Sequence, residues 1–208
     1  MQAILISIQP KWCELIASKK KRIEVRKTIP KLKLPFKCYI YCTKAKDRFS
    51  IGGGLYAMAD TLYRLPTGEI KFGDGFELMG DWSGRYDENN FLNGKIIGEF
   101  ICDSICNFGN LATDPWSNLC GSTFEYFKKL ITQEACLSES DFRSYRGKYG
   151  YHITKLVIYD KPRDLETLFY RCNKSVGTDC SKCVDERKQS CKPIKRPPQN
   201  WCYVESMA

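Results

Sequence analysis

Histidine is almost missing from this sequence. One residue, His152, stands alone in 208, which excludes metal centres and acid–base pairs built from several imidazoles. It lies within an apolar run, Tyr151 to Asp160, and reads as a core or rim residue of a strand. No apolar stretch approaches the ~18 residues of a membrane span. The first residues lack a basic-then-apolar pattern with a small-residue cleavage site, so export is not expected. A reducing, cytoplasmic setting follows, in which the 12 cysteines serve as buried thiols or metal ligands rather than disulfides. The triple glycine Gly52-Gly53-Gly54 lacks the Lys-Ser or Lys-Thr pair of a phosphate loop. No internal repeat is visible.

Positive charge, by contrast, is abundant and unevenly placed. The net charge is +9, with +10 in residues 1–48, −5 in residues 49–160 and +4 in residues 161–208. A clustered positive field suits a polyanion, because neutralising phosphates releases condensed counterions. Hydrophobic residues make up 43% and charged residues 27%, the balance of a folded domain with a real core.

Local patterns set out the elements. Ile4 to Ile8 alternates and reads as a strand, ended by Gln9-Pro10, and proline pre-sets the first turn of a helix from Lys11 to Ser18. Trp12, Leu15 and Ile16 share one face of that helix. Ile23 to Lys27 alternates again, with Ile23 and Val25 expected inward and Glu24 and Arg26 on the opposite face. Phe36 to Thr43 and Gly94 to Ile105 read as strands, and Tyr63 to Phe72 as a hairpin around Pro66-Thr67-Gly68. Helices are expected at Thr123 to Ile131 and from Leu137 through Tyr145. Tyr151 to Asp160 is a strand, and Gln199 to Glu205 a final one after the rigid Pro197-Pro198.

Three constellations bear chemistry. In the first, Glu24 and Arg26 face the same way with Lys21 in reach. A carboxylate between two cations stays ionised and accepts hydrogen bonds from a base edge, while the cations hold phosphate. In the second, Cys172, Cys180, Cys183 and Cys191 follow a C-x7-C-x2-C-x7-C spacing. Four thiolates around one structural Zn²⁺ would organise a stretch too polar to make its own core; no organic cofactor is implied. The third is aromatic: Trp12 and Trp201 sit beside basic or proline-stiffened segments, where rings stack bases of a single strand.

The run Lys19-Lys20-Lys21-Arg22-Ile23-Glu24-Val25-Arg26 resembles the G-x-K-x-x-E-x-R signature of ASCH domains, with Lys19 in place of the leading glycine. The strand and helix before it, and Phe36 to Thr43, Gly94 to Cys102 and Tyr151 to Tyr159, resemble the rest of that family's barrel. The likeness is to ASCH proteins of phage or prophage type and covers about two thirds of the chain. It implies an α+β fold: a PUA-like small β-barrel with flanking short helices. On this reading residues 1–165 form the domain, with a glycine-rich insertion at 47–93. Residues 166–208 form a cysteine-rich C-terminal module, its strand at 199–205 returning to the barrel.

The function this implies is binding of RNA or single-stranded nucleic acid, a modified nucleotide included. The contact residues are Lys11, Trp12, Lys19, Lys20, Lys21, Glu24, Arg26, Lys27, Lys44 and Trp201. The alternative is a metal-independent hydrolase in the same pocket, ribonuclease or amidohydrolase-like. ASCH-like amidohydrolases acting on N4-acetylcytidine use a lysine, a threonine and a glutamate. Lys21 matches the lysine, but Glu24 occupies the threonine's position, so the enzyme would draw on Lys21, Glu24 and Thr43, or Thr28 in place of Thr43. The sequence offers no independent catalytic pair, so the reading leans away from an enzyme. A further alternative is a phage protein that binds a host protein. No membrane partner is expected.

Overall fold

The structure, a computed structural model, describes residues 2–44, 48–52, 55–58, 60–73, 90–108, 129–138, 148–171 and 192–205. It is built mostly of strands. In chain order these are β1 (Ala3–Ile8), helix α1 (Pro10–Ala17), β2 (Ile23–Arg26), β3 (Phe36–Cys42), β4 (Arg48–Gly52), β5 (Leu55–Met58), β6 (Thr61–Arg64), β7 (Ile70–Gly73), β8 (Ile96–Asn107), β9 (Tyr149–Arg163) and β10 (Trp201–Val204). A single π-turn at Leu130–Glu134 and a 3₁₀ turn at Leu165–Thr167 complete the described elements. Most of the helix expected at Thr123 to Ile131, and the one from Leu137 to Tyr145 beyond Ser138, lie outside the described residues. No helix among the described residues is long and apolar enough to cross a membrane.

Six strands form one sheet in the order β10-β1-β3-β8-β9-β2. The β1–β3 pair is parallel, joined through α1 and β2, and the other pairs are antiparallel. β4–β5 and β6–β7 are separate hairpins. The sheet curls, and its two edges meet through side chains rather than a ladder. Arg26 Nη2 at the β2 edge donates to the Ser7 carbonyl of β1 at 2.6 Å. Past the end of β2, Thr28 accepts from Asn200 Nδ2 at 2.9 Å and from Trp201 Nε1 at 3.2 Å, both at the β10 edge. Lys31 N donates to Tyr203 Oη at 2.9 Å. The expected barrel is thus a half-barrel whose seam is closed by polar contacts.

β1 departs from simple alternation, because all six of its residues are buried. Ile4, Ile6 and Ile8 enter the interior with Phe36, Cys38, Ile40, Phe100 and Tyr151. Ala3 and Leu5 lie on the other face beneath Leu165, Leu168 and Ile194. A strand covered on both faces reads as a continuous apolar run, and β1 is one. α1 packs on β7, β6 and β3, burying Cys13 and Ile16.

The orientation of β2 corrects the sequence-based expectation. Ile23 is buried, but on the face of Phe108: a Cβ added at Gly150 would lie 2.7 Å from Ile23 Cγ2 and 2.8 Å from Phe108 Cζ. Glu24, paired with Tyr151, and Arg26, paired with Tyr149, take the face that looks into the half-barrel. Charges can occupy that face because they satisfy one another there.

The β8–β9 pair has three register shifts, two of which lie beside β2 and the end of α1. Cys102 pairs with Ile153 and Ile105 with Tyr151, so Asp103 and Ser104 together oppose His152. Ile101 pairs with Thr154 and Glu99 with Val157, so Lys155 and Leu156 oppose Phe100. Further along, Gly98 admits a close approach: an added Cβ would stand 2.4 Å from the Val157 carbonyl oxygen and 3.1 Å from Ile158 Cα. Both are backbone atoms, which cannot swing away. Gly98→Ala is therefore expected to destabilise the fold by about 1–3 kcal/mol, read as a lowered urea midpoint; an unchanged midpoint would show that the strands part at no cost.

Candidate nucleic-acid interface

The segment after α1 places the site. Ser18 N donates to the Glu14 carbonyl and Lys19 N to that of Ile16, closing the helix. Lys19 then turns into the left-handed region at φ 60°, the conformation in which glycine commonly ends helices. The ASCH-like signature has glycine at this position. The reversal returns the chain under the helix, where Lys21 N reaches the Leu15 carbonyl at 2.8 Å.

Lys21 and Glu24 are 3% and 5% exposed. Lys21 Nζ donates to the Ala135 carbonyl at 2.5 Å, stands 3.7 Å from Glu24 Oε2 and lies 4.9 Å from the centre of the Trp12 ring. Arg26 Nη2 stands 2.9 Å from Glu24 Oε1. One carboxylate thus sits between an ammonium and a guanidinium, and the guanidinium also spans the seam. Glu24 Oε2 and Arg26 Nε are buried without a hydrogen-bond partner. Burial pulls the Lys21 pKa below its ordinary value, against the opposing pull of Glu24. Burial also pushes the neighbouring Cys13 and Cys38 thiols well up, so both act as small apolar residues.

Two clefts open beside this cluster. The larger, of about 480 Å³, is lined by Lys19, Lys21, Arg22, His152, Lys155 and Leu156 among others. Lys21 forms part of its wall, and the remaining cations surround it. Lys155 is left-handed as well, at φ 47°, so two of the cleft's lysines hold a backbone conformation that disfavours side chains. His152 Nδ1 lies 2.7 Å from Asp103 Oδ1, and Arg22 Nε lies 3.8 Å from Glu134 Oε2. The smaller cleft, of about 130 Å³, is lined by Gln9, Pro10, Lys11, Thr43, Lys44, Asp60 and Phe72.

The expected contact residues therefore divide. Lys21, Glu24, Arg26 and Trp12 come together, with Lys21 and Glu24 buried and Arg26 and Trp12 partly so, and Lys21 and Arg26 are committed to carbonyls and to Glu24. Lys19 joins the larger cleft, and Lys11 and Lys44 the smaller one. Thr43 lines the smaller cleft too, which separates it from the cleft that Lys21 borders. Lys20 and Lys27 are exposed. Trp12 carries Lys11 and Lys21 over its ring at 5.2 Å and 4.9 Å, and Trp201 is tied to Thr28 at the seam. Both rings are thus engaged by the chain itself. Arg22, Asp103, His152 and Lys155 are the cleft residues that sequence reasoning passed over. Cys172, Cys180, Cys183 and Cys191 lie outside the described residues. Among the described residues no group of three or more His, Cys, Asp or Glu side chains is placed to hold a metal ion.

Two substitutions test this geometry. Lys19→Gly is expected to stabilise the protein by about 1 kcal/mol, because the left-handed position favours glycine; denaturant midpoints would show the gain, and a loss would argue against the cap. Arg26→Ala leaves the Glu24 carboxylate buried with only Lys21 nearby and opens the seam. A loss of about 3–5 kcal/mol is expected, and a change below 1 kcal/mol would mean that the pair carries little of the fold.

No family model matches the chain, and no curated protein sequence matches it. Solved structures similar to it include that of ASCH from Zymomonas mobilis, 17% identical over 98% of this chain and 87% of that one, with a TM-score of 0.42. A point variant of the Zymomonas mobilis protein is 17% identical over 99% of this chain and 91% of that one, with a TM-score of 0.47.

Proposed function

We propose that this chain binds RNA or single-stranded nucleic acid across the larger cleft. The observation that carries the reading is the convergence of Lys19, Lys21, Arg22 and Lys155 on one concave surface. A polyanion is the partner class that such a surface attracts, and a cleft, unlike a flat basic patch, concentrates the field on a threaded strand. The resemblance of Lys19 to Arg26 to the ASCH signature supports the same partner. In this reading Lys19, Arg22 and Lys155 hold backbone phosphates. Lys21 supplies fixed positive charge from beneath, and Glu24 and Arg26 brace it. The roles of Lys21, Glu24 and Arg26 thus shift from contact to support.

Fluorescence anisotropy with labelled single-stranded RNA, single-stranded DNA and duplexes across a salt series tests this. Affinity should fall with a log–log slope of about −2, since each phosphate neutralised on a single strand contributes about −0.7. Lys19→Ala, Arg22→Ala and Lys155→Ala should each flatten the slope by about 0.7. Binding that ignores salt and these substitutions would sink the reading and favour a protein partner.

A further inference from the structure

The smaller cleft opens at the carboxyl ends of β1 and β3, the parallel pair, where Ile8 and Cys42 stand in register. Beyond them β1 leads into α1 and β3 runs on to Thr43 and Lys44, and a crevice where parallel strands part is a common place for a ligand. Three charged side chains line it: Lys11, Lys44 and Asp60. Among the described residues none of the three is in an ion pair. Charges of both signs thus face one cavity without cancelling. The surrounding frame is held by hydrogen bonds. Thr43 N donates to the Ile8 carbonyl at 2.9 Å. Asn93 Nδ2 donates to the Thr43 carbonyl at 3.3 Å and to the Asp60 carbonyl at 3.0 Å, and its Oδ1 accepts from Leu62 N at 2.8 Å. One amide therefore fixes Thr43 and Asp60 relative to each other. Gly94, left-handed at φ 79°, makes room for Lys44: an added Cβ would stand 3.3 Å from its Cγ and 3.5 Å from its Cε. Lys11 is carried over the Trp12 ring at 5.2 Å. Phe72, packed against the core, supplies an apolar wall.

We infer that this cleft binds a small acidic amino acid, an aminodicarboxylate such as aspartate or glutamate. The charge count sets the class. Two ammonium groups and one carboxylate are complemented by a molecule with two carboxylates and one ammonium, and every such contact is a charge-assisted hydrogen bond. Lys11 and Lys44 take the carboxylates, Asp60 takes the ammonium, and the short methylene stem lies on Phe72. The volume of about 130 Å³ is well below the ~300 Å³ at which pockets begin to hold drug-sized molecules, which excludes a nucleotide. The larger cleft could not serve the same ligand, because no carboxylate lines it to receive an ammonium. The inference is independent of the nucleic-acid reading, and it gives Lys11 and Lys44 a partner other than the one expected from the sequence.

Isothermal titration calorimetry on the full chain at fixed ionic strength tests this, with L-aspartate, L-glutamate, succinate, L-alanine and inorganic phosphate as titrants. Aspartate or glutamate should saturate one site with a Kd of about 1 mM or tighter. Succinate lacks the ammonium and alanine the second carboxylate, so each should bind about tenfold or more weakly, one charged group being left without its partner. Lys44→Ala should weaken both amino acids by about tenfold or more. Asp60→Asn should switch the preference, so that succinate binds at least as well as aspartate. Lys195→Ala removes an exposed charge that lines neither cleft and should leave every affinity within about twofold, because salt screens it. Absence of saturable binding by either amino acid overturns the inference and leaves the nucleic-acid reading standing. Phosphate or succinate binding the wild type as tightly as aspartate would make the cleft a general anion site, and overturns it too.

Discussion

Everything near the N-terminus depends on pairing one buried carboxylate. Removing Glu24 from water costs several kcal/mol, and the chain offsets this only by bringing a cation to each side of it. Lys21 arrives because α1 ends in a left-handed turn; Arg26 arrives because it lies two residues along the same strand. The guanidinium then does a second thing, donating across the open seam to the Ser7 carbonyl. An ion pair that is marginal in energy therefore has a topological effect. It ties β2 to β1 across the seam, and β2 lies between the end of α1 and β9. The larger cleft is the gap they leave.

That arrangement explains why a motif dense in charge is turned largely inward, into the fold. Lys21 donates to Ala135, Arg26 to Ser7, and both serve Glu24. Side chains so committed set a field without being free to follow a ligand. The adaptable cations are those a step away: Lys19 at the helix end, Arg22 past the turn, Lys155 on the bulge.

The sequence made much of this visible, with definite gaps. Alternation and β-branched content placed β1, β2, β3, β8 and β9, and Gln9-Pro10 marked the start of α1. The Pro66-Thr67-Gly68 turn placed the β6–β7 hairpin. The orientation of β2 was misread because the rule that apolar residues face inward fails when both faces are covered: Ile23 is buried against Phe108, Glu24 against its own counter-ions. The placement of His152 and Lys155 on one cleft was hidden for a different reason. In a regular strand they would point to opposite sheet faces, since three positions separate them. The bulges break that count, and nothing in Tyr151 to Tyr159 announces an inserted residue, because the left-handed position is filled by lysine where glycine would have betrayed it.

The two left-handed lysines carry the last step. Lys19 and Lys155 come from different elements, one closing a helix and one in a strand bulge, yet both line the same cleft. Glycine would suit either backbone better, so stability alone does not account for a lysine at both places. Both positions instead put a cation on the wall of the larger cleft. The strain and the concave positive surface are then one feature, seen first in the backbone angle and again in the side chains.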